Sequence, residues 1–165
     1  LPAAAPHASV DGVSLTLTAA AREWLSGRTP AEFLRLLQPG AYFGLLAYLP
    51  PDDETFGAAL ADMRARVGVA SNCATMLGYG PRYLHSTGQL HKGGANTGVF
   101  MVITAPAPED LAIPGEPYSF GVLEMAQALG DFQSLDRTGR RALRIDLPER
   151  DPALLRRVFE TLLQE

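Results

Sequence analysis

Residues 82–94 read RYLHSTGQLHKGG. Two histidines, His85 and His91, stand six positions apart, among Arg82, Ser86, Thr87, Gln89 and Lys92. Hydroxyls, an amide and cations can hold the hydroxyl and phosphate groups of a small molecule, and a histidine can exchange a proton near neutral pH. A helix over 82–92 would put His85 and Gln89 on one face, at i and i+4. It would also put Ser86 and Thr87 in its first turns, where free N–H groups favour an anion. Gly93-Gly94 would end it.

Three chemistries compete for this pattern. A metal site fits poorly, because His-x5-His does not share a helical face and no carboxylate or cysteine adjoins it. A Ser–His hydrolase also fits poorly, because no acid orients the histidine and no nucleophile elbow surrounds the serine. Recognition of a hydroxylated, phosphorylated small molecule fits the residue types best. Beside these stands a structural reading, in which a glycine-rich polar helix caps a strand and sits at a dimer interface.

The elements around the segment must position it. AYFGLLAYL (41–49), VASNCATMLGY (69–79) and GVFMVITA (98–105) are short apolar runs bounded by turn residues, which read as strands buried on both faces. RALRIDL (141–147) alternates and reads as a strand near the sheet edge. Helical stretches fall between them: two pieces over 17–37 capped by Thr18 and Thr29, then PPDDETFGAALADMRARVG. A helix over 119–139 capped by Ser119, and a final helix capped by Asp151, complete the set. Alternation of strand and helix implies a mostly parallel sheet flanked by helices, an α/β three-layer sandwich. In such sheets ligands bind beyond the carboxyl ends of the strands, and RYLHSTGQLHKGG directly follows one. The Pro-rich stretch 105–118 is long for a connection, which marks it as functional or interfacial.

Composition narrows the classes. The chain has 165 residues, 47% hydrophobic and 19% charged, with a formal net charge of −4. A nucleic-acid binder normally carries a basic excess, so no nucleic-acid partner is expected. No apolar run reaches membrane-spanning length, and no signal peptide is evident, so no membrane partner is expected. The one cysteine, Cys73, rules out an internal disulfide and suits a reducing cytoplasm. Its neighbours suggest a core residue in a buried strand. Residues 1–15 read as a linker or extended N-terminal segment, with His7 as an exposed bystander, and 16–165 as the domain.

The residues also carry a resemblance. LHSTGQLHKGG resembles the LHSxGQ segment of bacterial phosphoglucose isomerases. LLAYLPP, GYGPRYLHSTGQLHKGG and IPGEPYSFGVLEMAQALGD together resemble the isomerase portion of bifunctional transaldolase/glucose-6-phosphate isomerases, from about Leu36 to Leu147. The resemblance implies a sugar-isomerase (SIS) domain of flavodoxin-like architecture. It implies interconversion of glucose 6-phosphate and fructose 6-phosphate through a cis-enediol, with no metal and no organic cofactor. By position His85 corresponds to the ring-opening histidine. Arg82, Ser86, Thr87, Gln89, His91 and Lys92 would shape the substrate pocket, with His91 equally well an interface residue.

The chain departs from the family at three points. ADMRARVGVA (61–70) stands where the family's catalytic glutamate segment would be. Asp62, Glu116 and Glu124 are the local carboxylates, none with the family motif, and Glu124 reads as a solvated helix residue. The C-terminal lysine motif is missing, and Lys92 is the only lysine. The phosphate loop belongs to a second SIS domain. The implied partners are therefore an upstream SIS domain, a transaldolase domain of the same protein, and a second copy as a homodimer. The rival reading is a non-catalytic SIS module that binds a sugar phosphate or mediates dimerisation.

Overall fold

The computed structural model describes residues 5–164. Residues 1–4 of the N-terminal segment and residue 165 lie outside the described residues. Strands β3 (Tyr42–Tyr48), β4 (Ala74–Tyr79), β5 (Gly98–Thr104) and β6 (Arg141–Asp146) pair in parallel, with β3 between β4 and β5. A hairpin of β1 (Ala8–Val10) and β2 (Val13–Leu17) completes a six-stranded sheet of order β1-β2-β6-β5-β3-β4. Its mostly parallel strands lie between two helical layers, as the strand–helix alternation leads one to expect.

Alternate side chains of the strands enter two cores. Phe43, Leu45, Met101, Ile103, Leu143 and Ile145 join the larger one. It is covered by α1 (Ala19–Leu25), a 3₁₀ turn (Pro30–Leu36), α2 (Glu54–Ser71) and α5 (Pro152–Gln164). Leu46, Tyr48, Phe100, Val102 and Ala142 join the smaller one. That face carries α3 (Thr87–Gly93) and α4 (Phe120–Arg137). Phe100 fits because its neighbours on the flanking strand and its own strand have no side chain: a Cβ on Gly44 would lie 2.7 Å from the Phe100 ring.

Polar caps set most boundaries. Thr18 accepts the N–H of Ala21, and Asp53 accepts those of Thr55 and Phe56 at 2.9 and 3.1 Å. Ser119 accepts the N–H of Val122, and Asp151 that of Ala153. The strand expected over 69–79 starts later. Helix α2 continues through Val69 and Ala70 and stops where Asn72 takes a left-handed conformation. Val69 is 86% exposed on its last turn. Cys73 is therefore half-buried in a connection rather than inside a strand, with its thiol near the Gln38 and Ser71 carbonyls. An apolar run that ends one helix and begins one strand has no period of its own to separate the two.

From Ala8 onward the N-terminal segment is a hairpin that belongs to the sheet. Asp11 and Gly12 both have positive φ, +50° and +81°, the conformation of a two-residue hairpin turn. Leu17, expected at the start of a helix, instead pairs with Leu143. Strand β6 consequently has a partner on each side, and its first five residues are buried; it is not near the edge. His7 is exposed but engaged, accepting the Leu17 N–H on Nδ1 at 3.0 Å.

Candidate functional site

The segment of interest leaves the carboxyl end of β4. Gly80 N–H donates to the Ala47 carbonyl at 2.9 Å, and the Gly80–Pro81 peptide is cis. Arg82–His85 then form a 3₁₀ turn, Ser86 breaks it at φ −137° and ψ −94°, and α3 begins at Thr87. The single helix expected over 82–92 is thus two pieces, and His85 and Gln89 are not one turn apart on a common face. The cause is local: the Leu84 and Ser86 N–H groups bond the carbonyls three residues back, closing a tight turn before α3 starts.

The two pieces sort the candidate residues. Arg82, His85, Ser86, Thr87 and Gln89 are exposed. His91 turns inward and is 2% exposed. Its ring lies 4.8 Å from that of Phe100 and 5.9 Å from that of Tyr42. Nδ1 is 2.9 Å from the Tyr42 hydroxyl, and burial holds the imidazole below the usual histidine range, with Asp131 opposing. His91 is therefore a core residue, though it shares the lining of a small hollow with Thr87. Lys92 is not a free cation for a ligand: it forms an ion pair with Asp131, whose side chain is 1% exposed. Both changes follow from α3 packing against α4, which turns one side of the short helix into the smaller core.

A cleft of about 380 Å³ opens at the carboxyl ends of β3 and β5. Tyr48, Thr104, Asp110, Val122 and Glu124 line it. The chain leaves β3 for β4 on one side and returns to β5 on the other, so this is the point where strand order reverses, the usual ligand position in such sheets. The Pro-rich stretch forms one wall. Asp110 accepts the Ser119 hydroxyl and the Gly121 N–H, the latter at 2.8 Å, which lowers its pKa. A Cβ on Gly121 would stand 2.9 Å from that carboxylate, so glycine permits the loop to close on α4.

Glu124 differs from the solvated residue expected. It is half-buried in the cleft wall, 3.6 Å from Arg150. Burial raises its pKa and Arg150 counters. Glu116 stays exposed in the loop, and Asp62 is exposed on α2 beside Arg66. Sequence reasoning flagged the loop by its length. It missed the wall of α4, because only the packing angle of that helix shows which residues face the strand ends.

The start of the segment adjoins the cleft wall, whereas Thr87 lies with Tyr42, Ala74 and Thr75 at the opposite ends of the strands. The Tyr48 ring lies against Gly80, and its hydroxyl oxygen is 3.4 Å from that of Tyr83. Thr104 donates to Asp146 at 2.7 Å, and Arg144 bonds the same carboxylate at 3.0 and 2.9 Å. Val122 of the cleft wall is exposed, as are Leu111, Tyr118 and Phe120 in the adjoining loop and helix start. Among the described residues no group of three or more His, Cys, Asp or Glu could hold a metal ion. No helix among them is long and apolar enough to cross a membrane.

No protein-family model matches the chain, and no curated protein does. Among solved structures, the hypothetical protein TT0462 from Thermus thermophilus is similar, with a TM-score of 0.65 and 17% identity. The likeness covers 88% of this chain and 42% of that one, so this chain spans less than half its length. At that identity the likeness shows the fold.

Proposed function

We propose that the chain is one domain of a glucose-6-phosphate isomerase, acting on glucose 6-phosphate and fructose 6-phosphate through a cis-enediol. One observation carries the reading. Arg82, His85 and Ser86 stand exposed in the turn that follows β4, whose Gly80 touches Tyr48 of the cleft wall, while Thr87 and Gln89 are exposed further along on α3. His85 is the ring-opening acid–base group, and the other four hold the sugar phosphate. His91 and Lys92 support the segment from inside. The general base for proton transfer and the phosphate loop come from an upstream SIS domain, in a protein that also carries a transaldolase domain. The isolated chain therefore turns over poorly.

The exposed apolar side chains of Leu111, Tyr118, Phe120 and Val122 favour one second reading, a non-catalytic SIS module that binds a sugar phosphate and associates with a partner domain or a second copy.

A coupled assay with fructose 6-phosphate on the longest natural protein containing this chain separates the two. His85→Ala lowers activity about 100-fold or more if the histidine is the acid–base group. A wild type that binds the sugar phosphate without turnover leaves the module. A wild type that does neither overturns both.

A further inference from the structure

The break at Ser86 leaves the motif in two short pieces, and no side-chain cap bond at the start of α3 fixes the angle between them. A helix of seven residues is too short to hold itself in water, and the 3₁₀ turn before it has only four. His85 is the last residue of that turn and is exposed at the junction. Its placement therefore depends on what grips the two pieces from inside.

One buried side chain grips both. The Asp131 side chain, on α4, is 1% exposed. Its Oδ2 accepts the Tyr83 hydroxyl from the turn, and its Oδ1 pairs with the Lys92 ammonium from α3. Tyr83 lies before the break and Lys92 after it. A carboxylate suits the task, because it accepts on two oxygens at once and has no proton of its own to place. A buried charge persists only when it is paired and hydrogen-bonded, and here the motif supplies both partners. The Tyr83 and His91 rings also meet across the break, but with centroids 6.3 Å apart and planes tilted. The bonds to the carboxylate are the directional part of the contact.

We propose that Asp131 is the positioning residue of the motif: it fixes the angle between the 3₁₀ turn and α3, and so where His85 stands. This rests on the reading of His85 as the acid–base group. It adds that the group is aimed from α4, through a carboxylate that no ligand touches.

Two measurements test it. The first is the angle between the turn and α3, from residual dipolar couplings on the full chain. Asp131→Ala removes both bonds, and Lys92, whose side chain is 25% exposed, can turn its ammonium to water. The angle should change by more than about 10–20°, the tolerance of a catalytic constellation, while the β5 couplings keep their values. An unchanged angle overturns the proposal. If Asp131→Ala does not fold, Tyr83→Phe decides, because it frees the turn and leaves the ion pair intact. The second measurement is kcat with fructose 6-phosphate on the longest natural protein. Asp131→Ala should lower it about 10- to 100-fold, the cost of a misplaced group. In a His85→Ala background it should cost nothing further, because it acts through that histidine. An equal loss in that background is what a merely structural role gives, and it overturns the proposal, as does an unchanged kcat. A wild type without turnover overturns the functional reading, and the angle alone then decides whether Asp131 aligns the motif.

Discussion

Gly80 and Tyr48 share one space. A Cβ built on Gly80 would lie 2.6 Å from both Cε atoms of the Tyr48 ring. The residue that turns the chain out of β4 is therefore also the floor under an aromatic ring of the cleft wall.

Gly80→Ala consequently forces either the ring or the exit turn to move. Overpacking of this kind costs about 1–3 kcal/mol. Tyr48 is 1% exposed, and its ring packs edge to face against that of Tyr83. Urea unfolding should show the midpoint falling with an unchanged slope. Gly93→Ala is the control, since a Cβ there meets nothing within 4 Å. Equal stability of Gly80→Ala and wild type would mean that the ring does not rest on this glycine.

The two histidines of the motif should part company in stability. His85→Ala, at an exposed position, should leave unfolding within about 0.5 kcal/mol of wild type. His91→Ala should cost about 2–4 kcal/mol, because it opens a cavity and strands the Tyr42 hydroxyl. The pH dependence has a definite sign. The folded pKa of His91 lies below the ordinary value of 6.5, so the unfolded chain binds its proton more readily. The stabilising contribution is fully present above pH 6.5 and is lost as pH falls toward the folded value. His7 is shifted the same way, so the comparison is made in a His7→Gln background. Melting temperature in that background should fall below neutrality, and His91→Gln should flatten the slope. An unaltered slope would mean that His91 titrates normally in the fold.

Glu124 should behave as a residue kept at a cost. Its folded pKa is raised above 4.5 by burial, despite Arg150. A raised carboxyl pKa means that its stabilising contribution exists below the unfolded value and is lost as pH rises through the folded one. Glu124→Gln should therefore melt at or above wild type at pH 7, and that advantage should shrink toward pH 4. A variant less stable than wild type at pH 7 would show that the Arg150 pair outweighs desolvation. Stability gained by removing a charge from a cleft is the usual mark of a functional position.

Local chemistry was enough to reveal the layered α/β fold. Tyr42–Tyr48 and Gly98–Thr104 are apolar at nearly every position because both their faces are covered, and Asp53, Ser119 and Asp151 cap their helices through bonds reaching only two or three residues ahead. The Asp11-Gly12 turn was equally present in the sequence, but a three-residue strand beside it carries too little period to be seen before its partner β6 is known. The site divided along the same line. Residue types singled out 82–94, and length singled out the Pro-rich loop. Tertiary packing decided that His91 and Lys92 turn into the core while Arg82 and His85 face outward, because α3 and α4 meet across Asp131. It also decided that Glu124 and Tyr48, 76 positions apart, line one cleft. A sequence states what each segment can bury against some neighbour. Which neighbour it meets, and so which polar groups lose their water together, is settled only when the layers close.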